Sequence, residues 1–449
     1  MINNIEIDGF RSLSNFKLEL RPGLNILVGP NGSGKTNIIT FFEFLSHLVI
    51  DGPSEAVNKF GGAGSVFTKN KDEHDFEHQI KVSISGCAEI KKDRFVQYLY
   101  NFIIEGSESF DSISFKEQEL TINISKTFLT EENYLSLALS IKQKSIDCKS
   151  YTYEISNFKK VMFDSSFLPP AIRKDFSGNK KMIEEFLKNN IKEDNSLVSG
   201  LSFLLDSTNY IVNDLRGGQV FNIIPSRIKT PEESSGSPGI KKDGSGLAAT
   251  LYAIKNKKHQ VDLHFPGKLI IRRFQSVNLR ETTLEDIQKY LVTANPAIKR
   301  LDVINDRFDN LLKVRFWIEK KDRTTILPLS AMSDGTIKWL ALVTAILTSP
   351  TIFSLEEPEN FLHPLMQSEV VKLMRYSASE KSSNTTIIMS THSETILNSA
   401  DPNEIVIVSF QDGSTKAHRC SNSSEIAEEI KRTGLGLGYY YISGSLLNG

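Results

Sequence analysis

The sequence predicts an α/β head, a mixed sheet with flanking helices, joined to an antiparallel β-lobe and interrupted by a mostly helical insertion. Three observations predict it. Leu24-Asn-Ile-Leu-Val28 is a short apolar run, and after a glycine-rich turn Ile38, Ile39, Phe42 and Leu45 follow at helical spacing. Between residues 79 and 155 the apolar period becomes two, the mark of antiparallel strands. Two further apolar runs lie far downstream, Thr351-Ile-Phe-Ser-Leu355 and Thr386-Ile-Ile-Met389, each followed at once by polar or acidic residues.

In chain order, Ile5–Leu13 and Phe16–Leu20 alternate around a turn and lead, with Leu24–Val28, into the glycine-rich loop. The first helix gives way to Lys59-Phe-Gly-Gly-Ala-Gly-Ser-Val-Phe67 and a polar turn at 69–74. Gln79–Ser85, Tyr98–Ile104, Leu120–Ile124 and Ser150–Ile155 read as strands of the β-lobe. From 165 to 215 the pattern is helical, as in Lys181–Leu187 and Ser199–Leu205. Ser226–Gly246 is rich in Ser, Gly, Pro and charge, which predicts a mobile loop or lid. Leu247–Ile254 and Leu284–Leu291 are helical, the second with Thr283 as N-cap. Val314, Phe316 and Ile318 alternate on a strand that turns at Lys320-Lys-Asp-Arg323 into Thr325–Leu329. A strand pair, Glu404–Ser409 with Ser414–Arg419, and a last helix finish the chain. The expected division is a first lobe, with the glycine-rich loop and the β-subdomain, over 1–160, a helical insertion with the 226–246 loop over 161–300, and a second lobe over 301–449. Segments 1–75 and 300–449 are expected to close one sheet.

Composition narrows the class. A chain of 449 residues has room for two or three ordinary domains, or for one domain with insertions. A net charge of −1 and a pI near 6.7 exclude a global bias toward nucleic acid or membrane, so any DNA-binding surface must be a local patch. Cys87, Cys148 and Cys420 are far apart and odd in number, which suits a reducing cytosol and neither a disulfide framework nor a metal cluster. The opening Met1–Asp8 is acidic and alternating, a strand rather than a signal peptide, and no apolar run approaches the roughly 18 residues that span a bilayer. These features predict a cytoplasmic protein.

The glycine-rich turn carries the chemistry. Gly29-Pro-Asn-Gly-Ser-Gly-Lys-Thr36 fits G-x-x-x-x-G-K-[ST] in full, between a strand and a helix. Glycines let backbone N–H groups approach phosphate oxygens without a Cβ in the way. Asn31, Gly32, Ser33, Gly34, Lys35, Thr36 and Asn37 are the predicted nucleotide contacts, with Lys35 on the β/γ-phosphates and the Thr36 hydroxyl on Mg²⁺. The predicted ligands are ATP or GTP with Mg²⁺.

The downstream strand 351–355 ends in Glu356 and Glu357. Glu356 sits where an acidic residue reaches a Mg²⁺ shell, and Glu357 where one orients or deprotonates the attacking water. His392 lies just beyond the 386–390 strand, at the carboxyl end where such sheets place their ligands, and is read as a γ-phosphate sensor. Met332-Ser-Asp-Gly-Thr336 precedes the amphipathic helix 337–347, and Ser333, Asp334 and Gly335 at its start make a second anion site. A chain with one phosphate cradle needs no second of its own. The segment therefore argues for a head-to-tail dimer with the nucleotide between one copy's loop and the other's Ser333–Gly335. The alternative is an ordinary capped helix.

Together, Gly29–Thr36, Met332–Thr336, Leu355-Glu-Glu-Pro-Glu-Asn-Phe-Leu-His-Pro364 and Ser390-Thr-His-Ser393 resemble, in that order, the ABC-type ATPases of the RecF/SMC/OLD group. Gly9–Leu13, Gly244–Ala249 and the tail Gly436–Gly444 add a resemblance to the compact AAA-labelled ATPases of bacterial anti-phage systems, such as the Septu, retron-associated and PARIS ATPase subunits. The resemblance implies Lys35 and Thr36 on phosphate and Mg²⁺, Ser333 and Gly335 acting in trans as the signature segment, Glu357 as catalytic base and His392 as switch. Asp334 stands where transporters usually carry Gly, and Glu356 replaces their commoner Asp. The family's glutamine loop has no obvious counterpart; Gln79 is one position among several. The insertion lacks the heptads of SMC arms, and the short tail after His392 encodes no nuclease chemistry.

The implied function is an ATP-hydrolysing sensor or scaffold subunit of a defence system, forming a homodimer or larger even-numbered assembly that controls a separate effector, expected to be a nuclease. The alternative is a RecF-like repair ATPase that loads on DNA junctions. A transporter ATPase is disfavoured by the long insert. Lys159-Lys160, Arg272-Arg273 and Lys320–Arg323 are the candidate DNA-backbone contacts, although short basic runs are more often solvated surface.

Overall fold

The fold was read from a computed structural model, which describes residues 1–69, 76–91, 94–125, 134–145, 151–156, 180–191, 194–202, 205–256, 260–262, 276–278, 283–320, 323–349, 352–381, 385–420 and 423–445. Lys159, Lys160, Arg272, Arg273 and Cys148 lie outside the described residues.

The chain opens with β1 (Ile2–Asp8), β2 (Phe16–Glu19) and β3 (Gly23–Val28). Only β3 enters the central sheet. β1 and β2 pair with each other and then join the lobe strands β4 (Gln79–Lys91), β5 (Arg94–Gly106), β6 (Ile113–Ser125), β7 (Tyr134–Ser145) and β8 (Tyr151–Ser156). The lobe is thus a seven-stranded sheet in the order β2-β1-β4-β5-β6-β7-β8. Its pairings are antiparallel throughout. The alternating pattern identified the lobe, but β4, β5 and β6 run longer than the sequence suggested and β7 was missed.

Among the described residues, the central sheet has six strands. Besides β3 it contains β9 (Gln219–Phe221), β16 (Ile352–Glu356), β17 (Thr386–Ser390), β18 (Ile405–Gln411) and β19 (Ser414–Arg419), in the order β19-β18-β3-β17-β16-β9. All pairings are parallel except β18 with β19. β16 and β17 are buried along their whole length, as strands covered on both faces must be, which is why each reads as an unbroken apolar run. Segments 1–75 and 300–449 supply five of its strands, and one more comes from between them. β9, three residues from the middle of the chain, forms its edge beside β16. Three residues are too few to show a period, so the sequence carried no signal for β9.

Between β9 and β16 lie β10 (Glu232–Glu233), the short hairpin of β11 (Gln260–Asp262) with β12 (Ser276–Asn278), and a meander of β13 (Ile298–Asp306), β14 (Leu311–Lys320) and β15 (Arg323–Pro328). The Ser/Gly/Pro-rich stretch is tied down at its far end. The Glu232 carboxylate accepts the N–H groups of Gly246 at 2.7 Å and Ala249 at 3.0 Å, capping the helix Leu247–Lys255. The helix Thr283–Ala294 begins at Thr283, one residue earlier than the predicted start.

Two apolar cores hold these layers. The first joins the lobe to the helix Lys35–Asp51, with Phe10 in contact with both Phe41 and Phe44 at 5.1 Å between ring centroids. The second surrounds the helix Asp334–Thr348, where Trp339 is fully buried and donates its indole N–H to the Tyr290 carbonyl at 2.7 Å. Among the described residues, no helix is long and apolar enough to cross a membrane.

Candidate functional site

Parallel pairing sets the site. The registers Leu27↔Ser390, Leu355↔Met389 and Phe221↔Leu355 bring the carboxyl ends of β3, β17, β16 and β9 to one edge. In such sheets the loops leaving that edge hold the ligand. Here they are 29–34, 391–393, 357–363 and the segment after Phe221.

The glycine loop connects β3 to the helix Lys35–Asp51, which Gly34 caps in the left-handed region at φ 100°. A Cβ there would lie 1.9 Å from Thr415 Oγ1, and one on Gly29 would lie 2.0 Å from the Val408 carbonyl oxygen. The β18–β19 hairpin therefore presses on the loop at two points, and both need glycine. Lys35 turns its ammonium into the loop, donating to the carbonyls of Gly29 at 2.8 Å and Pro30 at 2.9 Å. Burial lowers its pKa, and the nearby Glu357 charge partly opposes this. Ser33 Oγ is buried with no hydrogen-bond partner among the described residues. A glycine cradle, an orphaned hydroxyl and a buried ammonium fit a polyphosphate chemically.

Asn31, Gly32 and Thr36 are exposed, with Gly32 at φ 77°. Asn37 faces elsewhere. Its Nδ2 donates to Ser12 Oγ at 2.7 Å, and its Oδ1 accepts from Arg11 Nη1 at 3.3 Å, so it joins the loop helix to the turn between β1 and β2.

Glu356 ends β16 and is buried; Glu357 is exposed and adopts φ 41°, rare for a side-chain-bearing residue. Burial raises the Glu356 pKa, against which Lys242 and a hydrogen bond from Asn222 act. Asn222 follows β9 and donates to Glu356 Oε2 at 3.3 Å. Lys242 in turn pairs with Glu43 on the loop helix at 2.6 Å. Glu357 is held by its N–H to the Ser390 carbonyl at 3.1 Å and by Asn360 Nδ2 at 3.0 Å on Oε2.

His392 presents an exposed side chain beyond β17. Its backbone N–H and the Thr391 hydroxyl both donate to Glu359 Oε1 at 2.8 Å. At the signature segment, Ser333 caps the helix Asp334–Thr348, accepting from the Thr336 N–H at 3.3 Å and lying 2.8 Å from its hydroxyl. Asp334 is exposed and paired with Lys229 at 2.7 Å. Gly335 packs so close to the Glu357–Phe361 turn that a Cβ would sit 2.9 Å from the Phe361 carbonyl oxygen.

Sequence reasoning missed four residues here. Asn222 was hidden because its strand is so short. Glu359 and Lys338 carried no assigned role in the sequence, yet Lys338 is 1% exposed. Tyr441, on the helix Leu437–Ile442, meets the backbone of Gly29, and that helix packs on the 394–399 helix with the Gly438 N–H donating to Asn398 Oδ1 at 2.8 Å. Gln79 lies in the lobe, where its side chain donates to Glu105 Oε1 at 2.6 Å.

The fold and the site define a P-loop head of AAA-labelled type. The chain belongs to the family described as "AAA domain, putative AbiEii toxin, Type IV TA system", whose model matches residues 24–398. Shorter stretches are similar to curated proteins. Over 47 residues the chain is 43% identical to the DNA replication and repair protein RecF of Corynebacterium jeikeium, covering 10% of this chain and 11% of that protein. Over 66 residues it is 36% identical to the DNA double-strand break repair Rad50 ATPase of Methanopyrus kandleri, covering 13% of this chain and 8% of that one. Over 59 residues it is 36% identical to the Septu protein PtuA of Bacillus thuringiensis, covering 13% and 14%. These matches span about a tenth of the relatives' lengths. Among solved structures, an Smc head bound to the C-winged helix domain of ScpA aligns over 93% of this chain and 97% of that one, at 15% identity and a TM-score of 0.46.

Proposed function

We propose that this protein binds and hydrolyses ATP with Mg²⁺, and that two copies associate head to tail around the nucleotide. One observation carries the reading: the parallel registers bring the glycine loop, with the buried Lys35 ammonium turned into it, to the same sheet edge as the Glu356–Glu357 pair. A cation for the phosphates, a carboxylate for the metal shell and a carboxylate for the water are the parts phosphoryl transfer needs. The loop N–H groups and Lys35 would hold the β/γ-phosphates, and the Thr36 hydroxyl and Glu356 would hold Mg²⁺, with Asn222 orienting Glu356. The metal would supply positive charge against the phosphates. Glu357 orients and deprotonates the attacking water, and His392 senses the γ-phosphate. Ser333 and Gly335 close on the nucleotide of the other copy.

Within the cell, the dimer acts as the sensor subunit of an anti-phage system and controls a separate effector, a nuclease. The motif resemblance to Septu-type subunits and the PtuA match support this reading. The second reading, a RecF-like repair ATPase on DNA junctions, is favoured by the RecF matches. Phosphate release with Mg²⁺ tests the chemistry: the account expects turnover that stops in EDTA and in Glu357→Gln, and equal release by all three samples would overturn it. DNA affinity across a salt series separates the two roles. Steep salt dependence for the lone protein supports repair, and absence of DNA binding supports the effector-controlling role.

A further inference from the structure

The helix that begins at the signature segment carries a lysine in an unexpected place. Lys338 is 1% exposed, and its Nζ donates to the Glu357 carbonyl oxygen at 3.4 Å and lies 5.7 Å from the centre of the Phe361 ring. Among the described residues, the carboxylates of Glu359 and Glu357 are the opposite charges that act on it. A buried ammonium is costly unless opposite charges face it, so a lysine kept here has a local task.

What surrounds it shows the task. Glu359 uses one carboxylate oxygen to hold the Thr391 hydroxyl and the His392 N–H, both at 2.8 Å, while Oε2 is buried without a hydrogen bond among the described residues. The Glu357–Phe361 turn is locally strained, with Glu357 at φ 41° and Phe361 at φ 67°. Gly335 of the signature segment abuts the same turn. Hence one helix touches, through Gly335 at its start and Lys338 one turn later, the loop that carries Glu357 and grips the backbone of His392.

We propose that Lys338 is a positioning residue: its ammonium ties the signature helix to the Glu357–Glu359 turn, so that nucleotide engaged at Ser333–Gly335 sets Glu357 and the His392 loop in the same copy. Each copy would then read its partner's nucleotide at one end of the helix and adjust its own water-activating carboxylate at the other. The inference rests on the in-trans reading above, and it makes the two sites of a dimer interdependent. No element besides the Glu357–Phe361 turn is needed to connect them.

Hydrogen exchange with and without Mg²⁺-ATP, on the full chain carrying Glu357→Gln, tests the inference. ATP is expected to slow exchange in both the 29–36 loop and the 390–393 segment. Adding Lys338→Met is expected to keep protection at 29–36 and lose it at 390–393 by about tenfold, and Lys338→Arg to restore it. Protection at both segments in Lys338→Met would overturn this inference and leave the nucleotide reading standing. No protection at 29–36 in the parent chain would overturn the nucleotide reading and this inference with it. Should Lys338→Met not fold, Glu359→Gln removes the facing charge but keeps an acceptor for the His392 N–H. It is expected to lose 390–393 protection, and retained protection there overturns the proposal equally. In otherwise unsubstituted protein, Lys338→Met lowers kcat about tenfold with KM changed less than about twofold, a split that general loosening of the fold would not produce.

Discussion

Asn222 donates its side-chain amide to Glu356 across 134 residues of sequence, joining the end of a three-residue strand to the acidic end of β16. This contact fixes the orientation of a buried carboxylate that burial alone would drive toward its neutral form.

Removing that amide is expected to act on metal use. Asn222→Ala raises the Mg²⁺ concentration for half-maximal phosphate release about tenfold, the scale of losing a group that orients a metal ligand. Mg²⁺ titrations that superimpose for the two proteins would refute the assignment.

Lys35→Ala is expected to weaken nucleotide binding by about 1.5–3 kcal/mol, roughly 10–100-fold in Kd, because a charge-assisted contact to phosphate is lost. Anisotropy of a fluorescent ATP analogue measures this. The melting temperature without nucleotide should hold, since burial already disfavours the Lys35 charge.

Gly34→Ala has two separate faults, and they can be told apart. The backbone sits at φ 100° and the new methyl group would meet Thr415 Oγ1 at 1.9 Å. A loss of about 1–3 kcal/mol is expected in thermal or denaturant unfolding. Thr415→Ala, added to it, should recover only part, because it removes the Oγ1 and Cγ2 contacts but leaves the Thr415 Cβ 2.9 Å away and the backbone strain in place.

The Lys338 site predicts opposite pH trends for stability and activity. Burial pushes its ammonium down from 10.5 to about 8, despite the facing Glu359 and Glu357. The unfolded chain therefore binds more protons than the folded one between about 8 and 10.5, and this group's contribution to stability rises with pH across that window. Over the same rise the ammonium is lost, so its hold on the Glu357 carbonyl and its attraction to Glu359 weaken and turnover falls. In Lys338→Arg the fall near pH 8 should vanish. Parallel profiles of kcat for the two proteins would contradict this.

Much of the fold was legible because its signals are local. The glycine loop, the run before Glu356 and the run before His392 each need only a few adjacent residues, since strands buried on both faces read as apolar stretches. Non-local assembly was not legible. Nothing in Ile2–Asp8 says that it pairs with β4 of the lobe rather than beside β3. Gln219–Phe221 is too short for a period, and Asn222 was lost with it. Lys338 and Glu359 look like ordinary surface charges until the turn at 357–361 folds back over the helix. Ser333 was placed rightly at a helix start, yet its hydroxyl already caps that helix, so composition alone cannot separate a cap from an anion site.

The central claim, nucleotide-driven association in trans, is tested most directly by mass photometry of Glu357→Gln with and without Mg²⁺-ATP. This substitution keeps the side chain's shape and removes its basicity, so bound nucleotide should persist. The account predicts that ATP doubles the particle mass, and that Ser333→Arg, which blocks the partner-facing segment, abolishes the doubling. A mass distribution that ignores ATP would contradict it.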